Sequence, residues 1–98
     1  MRVGTVVTAE PFPEAIKPAY KLTIDFGKYG ILKSSAQIIR LYDCYQLIGK
    51  QVIAVVNFPP KQIGPFISEC LVLGAVDADG TVVLMHPERK TENGQRIA

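Results

Sequence analysis

Across residues 20–26 apolar and polar side chains alternate without a break, with Tyr20, Leu22, Ile24 and Phe26 separated by Lys21, Thr23 and Asp25. In an extended chain successive Cβ atoms point to opposite sides, so this period of two gives a strand with one face in a core and one in solvent. A helix would throw the same four apolar residues onto opposite sides. The neighbouring segments agree. Residues 3–9 are rich in Val and Thr and stop at Pro11 and Pro13, which reads as a first strand and a turn. Gly27 and Gly30 bracket the next turn, and residues 31–36 form a third strand with Lys33 and Ser35 on one face and Leu32 and Ser34 on the other.

The pattern then changes. Ile38, Leu41, Tyr45 and Ile48 recur at three and four residues, which predicts a short helix over 38–48, with Asp43 available to cap its final turn and Gly49 to end it. The run QVIAVV (residues 51–56) is short, continuously apolar after Gln51 and β-branched, as a buried central strand requires. Pro59, Pro60, Gly64 and Pro65 impose a loop with a stiff, extended start, after which SECLVLGAV (68–76) resumes a strand. Asp79 and Gly80 make a tight hairpin into residues 81–85, and the closing HPERKTENGQRIA is polar and irregular. Five short strands with one helix before the fourth predict an all-β chain closed into a small barrel, since an open sheet of this size would leave its edges unpaired. An OB-type barrel fits this order best; an SH3-like barrel or small sandwich has a similar strand count.

With 98 residues there is room for one domain, residues 1–98, and no second core. A chain of this size buries only roughly 60–65% of its unfolded surface, so a homodimer that covers apolar area is expected of a sequence that is 48% hydrophobic. No apolar run approaches the roughly 18 residues of a membrane span and no signal peptide is visible, which places the chain in the cytoplasm without membrane insertion. Cys44 and Cys70 lack CxxC spacing and read as small buried hydrophobes rather than metal ligands or a disulfide. His86 precedes a proline with no serine or cysteine nucleophile nearby, so no triad is supported. Asp77, Asp79 and Glu88 have Val82 where a calcium loop needs glycine. No phosphate-binding glycine loop or HExxH occurs, and neither catalysis, a metal nor a cofactor is expected.

The net charge of +2 is uninformative, but Lys17, Lys21, Lys28, Lys33 and Arg40 face only Asp25 over one stretch of chain. Such a stretch either neutralises phosphates or simply keeps a solvated face soluble.

Three blocks carry a family resemblance: YKLTIDFG (20–27), KSSAQI (33–38) and LIGKQVIAVVNFPPKQIGPFISECLVLGA (47–75). Together they resemble the CsaA-type branch of the tRNA-binding-domain family, a free-standing relative of the OB domain appended to some aminoacyl-tRNA synthetases. The chain has Ser68, Glu69, Cys70 and Leu71 where synthetase-linked members typically have Ser-Glu-Gly-Met, and its apolar Asn57, Phe58, Pro59, Pro60 segment suits the CsaA group better. Relatives usually carry several residues before the first strand, so a dimer contact made by that segment is expected to be missing. The resemblance implies an OB fold, a homodimer assembled partly through the terminal segments, tRNA as ligand and a link to chaperoning of exported polypeptides.

Two functions follow. In the first, Lys33, Arg40 and Lys61 neutralise tRNA phosphates, while Ser34, Ser35, Gln37, Asn57 and Ser68 meet 2′-hydroxyls or base edges. In the second, an apolar groove of Phe58, Pro59, Pro60 and Phe66 holds unfolded polypeptide or a second copy of the chain, and RNA binding is incidental.

Overall fold

In chain order the strands are β1 (Arg2–Pro11), β2 (Tyr20–Asp25), β3 (Ile31–Ala36), β4 (Gln51–Val55), β5 (Lys61–Ile63), β6 (Phe66–Ser68), β7 (Leu71–Val72), β8 (Gly74–Val76) and β9 (Val82–Leu84). They are seen in a computed structural model that describes residues 1–13, 15 and 17–98. β1 organises the rest. Its first residues, from Arg2 to Thr5, pair with β4, while Thr5 to Pro11 pair with β2. A register shift between Val6 and Thr8 leaves Val7 unpaired, a bulge that bends the strand so that it can serve both neighbours. The main sheet therefore runs β3-β2-β1-β4-β7, all pairs antiparallel.

Its two ends meet. The Lys33 carbonyl of β3 accepts the amides of Glu69 (2.7 Å) and Cys70 (3.3 Å), just ahead of β7. The Ser34 hydroxyl donates to the Cys70 carbonyl at 2.9 Å, and the Lys33 amide donates to Glu69 Oε1 at 3.0 Å. Closing the sheet between these ends removes the open edges and gives the five-strand order of an OB barrel, as the sequence predicts.

The interior is built from the alternating faces: Val6, Leu22, Ile24, Phe26, Ile38, Leu47, Val52, Ala54 and Cys70 form one buried cluster. Gly4 makes this closeness possible, because a Cβ there would stand 2.6 Å from Ile24 Cγ2 and 2.7 Å from the Phe26 ring. Cys70 is the buried hydrophobe that its sequence context suggests, its thiol pushed up to about 11, first by burial; Cys44 is only half-buried. Among the described residues no helix is long and apolar enough to cross a membrane.

Three segments differ from expectation. The helix is one turn, α1 (Cys44–Leu47), rather than residues 38–48. Leu41, Tyr45 and Ile48 are more than half exposed, so their spacing does not mark a buried helical face; only Ile38 and Leu47 enter the core. The cap is as predicted: Asp43 accepts from the Gln46 amide at 2.8 Å and the Gln46 side chain accepts from the Asp43 amide, a capping box. Residues 57–67 are not a plain loop, since β5 and β6 make a small hairpin about Gly64 and Pro65. Gly64 has φ +56, which suits the first central position of a two-residue hairpin turn. The continuous strand over 68–76 is broken into β6, β7 and β8, because Glu69 and Cys70 turn their amides to Lys33 instead of continuing a ladder.

The final segment is irregular, yet it is tied down. Gly94 and Val3 exchange bonds with it: the Gly94 amide donates to the Val3 carbonyl (2.7 Å) and the Val3 amide to the Gln95 carbonyl (3.0 Å). Gln51 reinforces this through its side-chain amide to the Thr91 carbonyl (2.6 Å) and Asn93 Oδ1 (3.2 Å).

Candidate nucleic-acid interface

β3 turns Lys33 and Ser35 outward and Leu32 and Ser34 inward, as its alternation requires. The inward serine is fully buried and its hydroxyl is spent on closing the barrel. Ser68 is buried as well. Its hydroxyl donates to the Cys70 carbonyl and accepts from the Ser35 amide, each at 3.3 Å, so it locks β6 to β3. Ser34 and Ser68 are thus interior fasteners whose hydroxyls already have partners.

The strand pairing then decides what lies at the surface. Lys61 stands opposite Ser68 in the β5–β6 hairpin, and Ser68 is bonded to Ser35, so Lys61 is carried to the end of β3. There a depression of about 570 Å³ is lined by Lys17, Ser35, Gln37, Lys61 and Gln62, with Ala15, Ala19, Ile63 and Gly64 supplying its apolar floor. Lys17 and Gln37 also line a second depression of about 220 Å³ that reaches Arg40, Gly80 and Val82. The two depressions adjoin at Lys17 and Gln37, and together they make up the candidate groove. Among the described residues no carboxylate lines either part.

Lys33 stands on the same face of β3, two residues from Ser35, and holds its Nζ 5.6 Å from the centre of the Phe66 ring. Phe66 leans on the buried Phe12 at 5.3 Å between ring centres, so one side of its ring is occupied. Arg40 is less free than its neighbours: its guanidinium donates to the Asp79 carbonyl and lies 4.0 Å from the Asp79 carboxylate, which Thr81 and then Arg40 hold below the usual carboxylate range. Lys21 likewise pairs with Glu10 at 3.4 Å, so part of the basic stretch is neutralised across strands. Asn57, Pro59 and Pro60 are exposed and Phe58 is half-buried, all four on the approach to β5 and outside the groove.

The structure therefore brings together Ser35, Gln37, Lys61 and Arg40, with Lys33 beside them. Lys17 and Gln62 join them from outside the predicted set. Lys17 was visible as part of the basic stretch; nothing in the sequence singles out Gln62, whose place depends on the hairpin.

Comparison with known proteins matches the chain over residues 1–96 to the family described as "Putative tRNA binding domain". The methionine–tRNA ligases of Methanococcoides burtonii and Porphyromonas gingivalis strain W83 are 34% and 35% identical over 97 residues. These matches cover 99% of the chain and 14% of each ligase, so the chain spans about one seventh of those relatives. Among solved structures, the chaperone CsaA of Bacillus anthracis is 52% identical with a TM-score of 0.95, covering 99% of this chain and 88% of that one. The CsaA chaperone protein of Picrophilus torridus is 56% identical with a TM-score of 0.91, over 99% and 89% of the two chains. A barrel with this strand order, matched from end to end at these identities, belongs to the tRNA-binding-domain family, on the branch that holds the CsaA chaperones.

Proposed function

We propose that the chain is a non-enzymatic tRNA-binding module of the CsaA type, which holds RNA by its backbone along the groove between Lys61 and Arg40. The observation that carries this reading is the gathering of Lys17 and Lys61 in the lining of that groove with Lys33 at its side, where no carboxylate of the described residues lines it. Ammonium groups there displace the counterions of the RNA phosphates, a term that supplies affinity without regard to sequence. Ser35, Gln37 and Gln62 add short donors and acceptors of the kind that meet a 2′-hydroxyl. Wild-type protein should bind bulk tRNA with an affinity that falls steeply over a salt series from 0.05 to 0.2 M, and should bind an unfolded peptide in the same buffers with little salt dependence. Tight peptide binding with no measurable tRNA binding would exchange the ranking.

That second reading, a chaperone for unfolded or exported polypeptide in the cytoplasm, is favoured by the likeness to the CsaA chaperones and by the apolar segment at Phe58, Pro59 and Pro60. Phe66 contributes less to such a groove because Phe12 already covers it. We also assign a homodimer. Exposed Leu71, Val76, Val83 and Met85 around β7, β8 and β9 leave apolar area that a second copy would cover. Light scattering on a sizing column should give twice the 10.7 kDa chain mass, and a persistent monomer at micromolar concentration would overturn the assignment.

A further inference from the structure

At the other end of the β2–β3 hairpin lies a larger depression, about 640 Å³, between the turn at Gly27–Tyr29 and the closing segment. Arg2, Lys28 and Arg96 line it. Arg2 and Arg96 face each other as an antiparallel bridge pair, the geometry in which opposing side chains leave the backbone on one side and like charges repel. Arg2 is held in place rather than loose, with its guanidinium carbon 3.8 Å from the centre of the Tyr29 ring and Nη1 donating to the Gly94 carbonyl at 2.9 Å. Lys28 approaches the same ring at 5.4 Å. One carboxylate, Glu92, lines the depression, but among the described residues no carboxylate comes within 4.0 Å of any of the three cations.

Three cations line one hollow against a single carboxylate, and the backbones that carry two of them are bridged to one another, so the arrangement is short of an anion. We infer that Arg2, Lys28 and Arg96 form a second phosphate-binding site, whose ligand is a backbone phosphate of the RNA held in the first groove. This rests on the tRNA reading above. A six-residue β3 separates the two sites by roughly 17–20 Å, so a single RNA strand or stem can engage both. The ring of Tyr29, already stacked under Arg2, serves to fix the guanidinium so that its remaining N–H groups point at the ligand.

The test compares wild type with Lys28→Gln, Arg96→Gln and the double variant, all on exposed side chains, after thermal melts show that folding is unchanged. Each lost contact should lower the slope of log K against log salt by about 0.7–0.9, which corresponds to roughly four- to fivefold weaker tRNA binding at 0.15 M salt and eight- to fifteenfold at 0.05 M. Wild-type affinity and slope in the double variant would overturn the second site while leaving the groove intact. If wild type itself fails to bind tRNA, the groove reading falls and pyrophosphate decides the second site alone. Saturable amide shifts at Lys28, Tyr29 and Arg96 that vanish in the double variant would then assign free phosphate as its ligand, and their absence would remove the site.

Discussion

Phe26→Ala will cost about 3–5 kcal/mol of folding stability and lower the melting temperature by roughly 12–40 °C. The ring has no exposed surface and sits where Gly4 of β1 lets the backbone come close, so the cavity left by its removal cannot be filled by a small shift of one side chain. A domain of this size has about 5–15 kcal/mol in total, and a loss of this order takes more than half of the smaller value. Phe26 also marks the point where β2 ends and the Gly27–Tyr29 turn begins, with its amide donating to the Gly30 carbonyl at 2.9 Å. That bond is made by the backbone and survives the substitution. The expected result is therefore a folded but weakened barrel, read by urea and thermal unfolding. A change in melting temperature below about 5 °C would mean that the core is centred elsewhere.

Reversing two lysines, Lys33→Glu with Lys61→Glu, should abolish most tRNA binding. Losing two phosphate contacts lowers the salt slope by about 1.4–1.8 and weakens binding by at least roughly sixtyfold at 0.05 M salt, before the repulsion from two new carboxylates is counted. Both residues are exposed and neither side chain enters a salt bridge among the described residues, so stability should change little. Peptide binding should persist, because apolar contacts are not screened by salt. A double variant that binds tRNA like wild type at every salt concentration would make the basic groove a solvated face and leave the polypeptide reading in its place.

β2 was legible nearly to the residue because it alternates cleanly, β3 because the Gly27 and Gly30 turn sets its start despite its polarity, and the closed barrel followed from the number and shortness of the strands. The helix over 38–48 misled for a physical reason: Leu41, Tyr45 and Ile48 have helical spacing but face solvent, and spacing alone does not say which face is covered. The β5–β6 hairpin escaped notice because KQI and FIS are too short to show a period, leaving Gly64 and Pro65 as the only signal. In the site, Ser34 is not the RNA contact that its residue type suggests: it shares its strand face with the apolar Leu32 and is buried, with its hydroxyl on the Cys70 carbonyl. Ser68 carries no mark of its burial, which comes from the barrel closure against β3, where its partner Ser35 lies 33 residues away in sequence. The Arg40–Asp79 contact joins residues 39 apart and is likewise a product of topology, not of local pattern.

β1 has one further consequence, for the order in which the chain can fold. It is bonded to β2, to β4 and to the segment around Gln95, so its last partners lie more than ninety residues from Val3. Loop-closure entropy makes such distant pairings late, and barrels dominated by them fold slowly. On a ribosome adding about 5–20 residues per second, Val3 is made roughly 5–20 s before Gln95 exists to receive its amide. For that interval the Val3 amide and carbonyl lack their partners and one edge of the start of β1 stays open, and aggregation during synthesis should be most sensitive to substitutions there.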